Sequence, residues 1–313
     1  MFNKIKDYLK LVYSKANKSE VDALYSLLYD IVHDLDGPPK IFVKQTQQTF
    51  GFQWAELSEG EAMLSDAWFK ENVATLITEH ELLIDRNWFK GKNVLDLGCG
   101  GGRWSYGLAS LGANITAVDV NQSALDATQK ALAGFENIKK RFIKSPLEDL
   151  PMALEPSEKF DLVWSWGVIH HCESFNKSLE NAMRYVKESG LIYLYLYGRE
   201  SVPYASDIAK FKKRLYYNSL KTWKEKKDYL LSLAKGDKAK IHQLHDMLAP
   251  IINRRLEYDD MKTRLETNGF HNTFRTVNHT ELFMRAIKGK SSELEGSLHY
   301  QRIPDHWLKR YTI

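Results

Sequence analysis

Between residues 92 and 198, short apolar runs alternate with stretches whose apolar residues recur every three or four positions. The runs "NVLDL" (93–97), "NITAVDV" (114–120), "IKKRFIK" (138–144), "FDLVWSW" (160–166) and "LIYLYLYG" (191–198) predict strands. Residues 102–111 predict a helix with Trp104, Leu108 and Leu111 along one stripe and Gly112 as its terminator. Residues 121–134 predict another, whose inner face carries Ala124, Leu125, Thr128, Ala131 and Leu132. Before the fifth strand, Phe175, Leu179, Met183 and Val186 fall on one helical face. Strand–helix alternation with short joints means a doubly wound, mostly parallel α/β sheet covered on both faces.

The alternation is interrupted by residues 199–256, which read as a helical insertion. It resumes with a helix over 257–270 and two strands, "NTFRTV" and "ELFMRAIK", which close one sheet edge as strands six and seven. An insertion at the C-terminal end of a strand lies over the crevice where such sheets bind ligands, as a lid or substrate subdomain. Upstream, residues 1–36 predict two amphipathic helices. One has the face Ile5, Tyr8, Leu9 and Val12, the other Val21, Leu24, Leu28 and Ile31; "DGPP" (36–39) ends the pattern. The expected organisation is therefore an N-terminal helical cover (1–80), an α/β domain (81–198 and 257–290), the insertion (199–256) and a tail (291–313).

Composition narrows the class. The chain has 313 residues, 43% hydrophobic and 27% charged, as in a soluble globular protein. No apolar run reaches membrane-spanning length, and the N-terminus lacks the apolar centre of a secretory signal. Cys99 and Cys172 make no disulfide framework, so a cytoplasmic location is expected. The net charge of +4 is concentrated: residues 199–256 hold 14 Lys or Arg against 6 Asp or Glu. That segment is either a solvated helical face or a surface that attracts anions.

The chemistry centres on "VLDLGCGGGRWS" (94–105). Gly98, Gly100 and Gly102 follow the first strand at every second position. Glycine allows positive φ and leaves no Cβ in the way, so such a turn can press against a ligand and offer N–H groups to it. Asp119, at the end of the second strand, sits where an acid accepts hydrogen bonds from ribose hydroxyls. The spacing G-x-G-x-G differs from the dinucleotide pattern G-x-G-x-x-G. Asp96 beside the turn would repel a phosphate and suits a positive group. No Lys-Ser or Lys-Thr follows the glycines, which excludes a P-loop.

"VLDLGCGGGRWS", "AVDVNQSAL", "SPLEDLP" and "FDLVWSWGVIHHC" together resemble the signature blocks of class I S-adenosylmethionine-dependent methyltransferases, which have a Rossmann-like sheet. The resemblance is strongest to the branch containing quinone and small-molecule methyltransferases. It covers residues 90–198 well and 257–288 loosely. It implies S-adenosyl-L-methionine as cofactor, with Asp96 near its ammonium group. Gly98, Cys99 and Gly100 would wall the methionine and ribose, and Asp119 would take the ribose with Val120 against the adenine. Ser145, Pro146 and Leu147 would lie by the adenine, Ser145 or Glu148 replacing the family's usual Asp. Trp166 and Gly167 would flank the sulfonium. "KESG" stands where the family has "KPGG".

On the acceptor side, His170 and His171 close the fourth-strand block. A neutral histidine there can take a proton from an acceptor hydroxyl, or the pair can simply pack the loop. Phe50, Phe52 and Trp54 stand at alternate positions and either roof the cofactor or fill the core. Tyr197, Arg199, Arg254 and Arg255 are candidate substrate residues, the arginines for a carboxylate or phosphate. His242 and His245 have no acid or Cys cluster beside them, so no metal is expected. The expectation is methyl transfer to a small acceptor, such as a sugar, glycan precursor or other secondary metabolite, possibly an anionic one. The alternatives are a tRNA-modifying enzyme that grips phosphates with the basic insertion, and a cofactor-binding scaffold without turnover.

Overall fold

The computed structural model describes residues 18–57, 60, 62–200, 202–237 and 240–291, with 294, 303, 304, 306 and 307. The first predicted helix, with Ile5, Tyr8, Leu9 and Val12, lies outside the described residues, as does most of the tail. Seven strands form one sheet: β1 (Asn93–Leu97), β2 (Asn114–Asp119), β3 (Lys140–Lys144), β4 (Phe160–Trp166), β5 (Val186–Leu196), β6 (Phe270–Arg275) and β7 (Leu282–Lys288). Their order is β3-β2-β1-β4-β5-β7-β6. The first five are parallel, and β7 runs antiparallel between β5 and β6.

The period-two alternation of strands sorts side chains onto two faces. Leu191, Tyr193, Tyr195 and Tyr197 join the core on one side of the sheet with Leu162, Trp164 and Trp166. Ile192, Leu194 and Leu196 join the core on the other side with Val163. Registered pairs across β4 and β5 become stacked rings: Trp164 on Tyr193 at 4.4 Å between centroids, Trp166 on Tyr195 at 4.2 Å. Such pairs contribute roughly 0.5–1.5 kcal/mol beyond their buried area. They also fix the C-terminal ends of these strands, where the site lies. Val186, expected on a helix, opens β5 instead; the helix before it stops at Arg184.

Ten helices of eight or more residues are described: α1 (Lys18–Val32), α2 (Lys40–Glu56), α3 (Ala67–Leu76), α4 (Arg103–Ser110), α5 (Gln122–Ala131), α6 (Phe175–Arg184), α7 (Tyr204–Ser219), α8 (Trp223–Leu233), α9 (Ile241–Leu248) and α10 (Tyr258–Thr267). Helix α1 turns a different face inward from the one its sequence suggests. Leu24 and Ile31 are exposed, while Val21, Tyr29 and Val32 are buried. The reason is its partner: Tyr29 packs edge-on against Phe211 of α7, so aromatic contact selects the face. The N-terminal helices and the insertion thus share one core, built on Tyr29, Val32, Phe42, Ile208, Phe211 and Ile252. They form a single cap.

A buried charge knot ties that cap to the sheet. Asp207 of α7 is fully buried and accepts a short hydrogen bond from the Tyr29 hydroxyl. Arg255 lies 3.4 Å from it, Arg199 3.6 Å and Arg214 3.9 Å. Arg255 also bridges to Glu281, just before β7, at 3.2 Å. Much of the insertion's arginine charge is therefore directed inward.

Candidate active site

Parallel order reverses between β1 and β4, and ligands of such sheets bind outside the strand ends at that reversal. A cleft opens there, of about 1400 Å³ counting its mouth. The turn after β1 forms its floor. Gly98 and Gly100 have φ of +74° and +53°, which is why side-chain-bearing residues do not serve at these positions. The turn's donors are already engaged. Gly98 and Cys99 donate N–H to the Val118 carbonyl at 2.7 and 3.1 Å, Gly100 to Asp119 Oδ2 at 3.1 Å, and Gly102 to the Cys99 carbonyl at 2.9 Å. These groups do not reach for a ligand, contrary to the sequence expectation. A turn with those donors spent is a smooth wall, not a phosphate nest.

Asp119 lines the cleft and accepts from the N–H groups of Gly100 and Asn121, the latter at 2.9 Å. Burial pushes its carboxyl up to about 6. Val120, Asn121, Ser145, Pro146, Leu147 and Glu148 continue that wall. Glu148 Oε1 accepts the Ser174 N–H at 3.0 Å. Trp166, Gly167 and Val168 form the opposite end.

Helix α2 supplies the roof. Val43, Thr46, Gln47, Phe50, Gln53 and Trp54 recur at helical spacing, so one face of α2 meets the cleft. The Trp54 indole lies against the glycine turn, so close that a Cβ on Gly100 would come within 2.6 Å of it. Phe52 is turned away from that face and meets Trp223 and His245. The alternate spacing of Phe50, Phe52 and Trp54 suggested one shared role; a helix divides them.

His171 lines the cleft, and its Nδ1 lies 2.6 Å from the Ile252 carbonyl. A carbonyl only accepts, so Nδ1 carries the hydrogen and Nε2 keeps a lone pair. Burial holds the ring neutral, with its pKa lowered to about 3.

Residues 95–194 match the family model described as "Methyltransferase domain". Residues 95–194 thus form a methyltransferase domain, in keeping with the resemblance to class I S-adenosylmethionine-dependent methyltransferases. Among curated relatives, the ubiquinone biosynthesis O-methyltransferase of Rickettsia bellii is 34% identical over 111 residues, covering 36% of this chain and 44% of that protein. The mitochondrial ubiquinone biosynthesis O-methyltransferase of Schizosaccharomyces pombe is 35% identical over 117 residues, covering 36% and 41%. The alignments thus span less than half the length of these relatives. Among solved structures, an O-methyltransferase family protein from Burkholderia thailandensis aligns with TM-score 0.47 and 14% identity, over 73% of this chain and 60% of that one. Magnesium protoporphyrin IX methyltransferase from Synechocystis, with bound SAH, aligns with TM-score 0.42 and 18% identity, over 71% and 82%.

Several residues singled out from the sequence lie outside the methyltransferase domain's cleft. Asp96 is buried behind the glycine turn, where the Ser105 hydroxyl donates to it at 2.5 Å; burial raises its carboxyl to about 7. It is not part of the cleft wall. His170 is fully buried, with its ring 4.1 Å from that of Tyr197, and is likewise not part of the wall. Arg254 donates to the carbonyls of Asp34, Cys172 and Glu173 and so fastens the cap to the loop after β4. Arg199 and Arg255 belong to the Asp207 knot. None of the three arginines lines the cleft.

Other residues reach the cleft unanticipated: Gln53, Arg103, His242 and Asp246, beside the expected Tyr197. The spacing of Val43, Thr46, Phe50 and Gln53 was the available signal for α2. Nothing local marks Asp246, whose position depends on how α9 folds back. The described wall holds four carboxylates (Asp119, Glu148, Glu173 and Asp246), one guanidinium (Arg103) and no lysine. His242, like His171, is held neutral by burial, its pKa lowered to about 3.

Proposed function

We propose that this chain transfers the methyl group of S-adenosylmethionine to a hydroxyl of a small, uncharged acceptor bound under helix α2, with His171 orienting the hydroxyl and receiving its proton. The cleft fits the cofactor on its own features. The turn offers a bare wall, Asp119 stands where a ribose would meet it, and three buried wall atoms lack a hydrogen-bond partner: Gln53 Oε1, Asn121 Nδ2 and Trp166 Nε1. A polar ligand would satisfy them. The cofactor supplies a methyl group already activated as an electrophile by its sulfonium.

The observation that carries the acceptor reading is the tautomer of His171. Its Nδ1–H is committed to Ile252, so the other nitrogen can accept from a hydroxyl. With its pKa near 3, the ring is a weak base. It therefore serves chiefly to hold the hydroxyl in line, and alignment can supply most of the acceleration. As the oxygen–methyl bond would form and the methyl–sulfur bond break, leaving the cofactor as a neutral thioether, the hydroxyl proton goes to Nε2, and a base this weak releases it readily to water. Val43, Phe50 and Val168 give this region apolar walls, with Thr46 and Gln47 between them. An excess of carboxylates disfavours the anionic acceptor that the sequence had suggested.

The test uses the full chain with methyl-labelled S-adenosylmethionine and a panel of phenols and neutral sugars, product being read by mass spectrometry. Label on a hydroxyl oxygen is expected, and His171→Ala should lower kcat about 100-fold, at the low end of what a proton-transfer residue supplies. Its effect on cofactor affinity should stay within about twofold. An unchanged kcat in that variant would remove His171 from the reaction.

A further inference from the structure

At the end of the cleft beside Trp166 lies a polar cluster that the glycine turn does not explain. Gln53 of α2 donates its Nε2–H to Asp246 Oδ1 of α9 at 3.0 Å, and Tyr197 lines the cleft with them. Gln53 is fully buried, yet its Oε1 has no partner. Arg103, at the start of α4, holds its guanidinium 4.6 Å from the Trp166 ring, donates to the Ala62 carbonyl at 3.0 Å, and feels the charge of Asp246. The cluster thus presents a carboxylate and an unsatisfied amide oxygen beside a guanidinium, which has donors beyond the one given to Ala62.

We infer that the cap and the start of α4 together hold the amino-acid end of the cofactor, Asp246 and Gln53 Oε1 of the cap receiving its ammonium group and Arg103 of α4 its carboxylate. This rests on the reading of the cleft as a S-adenosylmethionine site. Three observations lead to it. The acid expected to meet the ammonium, Asp96, is closed off by Ser105 and does not form the wall. With the adenosine placed by Asp119, Val120 and Leu147, the rest of the molecule extends toward Trp166 and the cluster. An α-amino acid carries its ammonium and carboxylate on one carbon, so their partners must converge, as Asp246 and Arg103 do. A buried carbonyl without a donor is costly, and an ammonium with three hydrogens relieves Gln53 while binding Asp246. The cofactor would then bridge the sheet and the cap.

The experiment compares two ligands by calorimetry on the full chain: S-adenosylhomocysteine, and 5′-methylthioadenosine, which keeps the adenosine and sulfur but lacks the amino-acid end. Wild-type protein should bind the first at least tenfold more tightly. In Asp246→Asn, S-adenosylhomocysteine should weaken tenfold or more while 5′-methylthioadenosine changes less than twofold. Gln53→Leu should show the same selective loss, and it serves if circular dichroism finds the Asp246 variant unfolded. Equal losses for both ligands, or none, would overturn the inference and leave the cofactor reading standing. Failure of wild-type protein to bind either ligand would instead overturn the cofactor reading, and this inference with it.

Discussion

Asp119 holds the glycine turn through the Gly100 N–H and lines the cleft, where the ribose of the proposed cofactor would meet it. Asp119→Ala should weaken S-adenosylmethionine binding by about 1–3 kcal/mol, as expected for lost hydrogen bonds to a charged group; calorimetry measures it directly. The neighbouring histidines divide between two tasks. His170 is packed away from the cleft, so His170→Ala should cost stability of about 2–4 kcal/mol in urea unfolding, by analogy with other large-to-small core changes. Its kcat per folded molecule should fall far less than that of His171→Ala. At this scale the sequence was legible where a residue's place at the cleft follows from its neighbours in the chain. Asp119, Cys99, Ser145, Trp166 and Gly167 all reached the cleft from strand-end positions. Asp96 and the arginines did not, because side-chain direction and long-range pairing decide them, and "DLGCG" or "INRR" records neither.

Helix α2 shows what an element adds to its residues. Read as a string, "QTQQTFGFQW" shows aromatics at every second position; wound at 3.6 residues per turn, it divides Trp54 and Phe50 from Phe52. Strand and helix order was legible because buried parallel strands are apolar runs bounded by turn residues. The faces of α1 and α2 were not, since they depend on partners such as Phe211 and the glycine turn, distant in sequence. Where elements meet closely, backbone chemistry dominates. Gly102 caps α4 in the left-handed region at φ +80°, and a Cβ there would lie 2.8 Å from Thr128 Cα of α5. Gly102→Ala should therefore destabilise by about 2–4 kcal/mol, combining positive-φ strain with overpacking. Chemical denaturation checks the value, and retention of wild-type stability would contradict the close approach of α4 and α5.

Across the whole molecule, buried charge links cap and sheet. Asp207→Ala would leave Arg199, Arg214 and Arg255 without their shared carboxylate. A cost of about 3–5 kcal/mol is expected for breaking a buried ion network, seen as an earlier unfolding midpoint. Buried histidines set the response to acid. His33, His171 and His242 are lowered to about 3 and His245 to about 4, and His170 is held well below its ordinary value, all mainly by burial. Below about pH 6.5 the unfolded chain takes up protons that these rings refuse, so stability falls as pH drops. Asp96, at about 7, and Asp119, at about 6, act in the opposite sense, as does the raised Asp246, because the folded state protonates them first. Five rings outweigh three carboxyls, so Tm should decline steadily from pH 6.5 to pH 4.5 in scanning calorimetry. In the proposed reaction, the surplus of carboxylates around the cleft bears on turnover too. Methyl donation converts a cation into a species with no net charge. A negatively lined chamber attracts the reactant and loses that pull on the spent nucleoside, so the reaction itself loosens what must next depart.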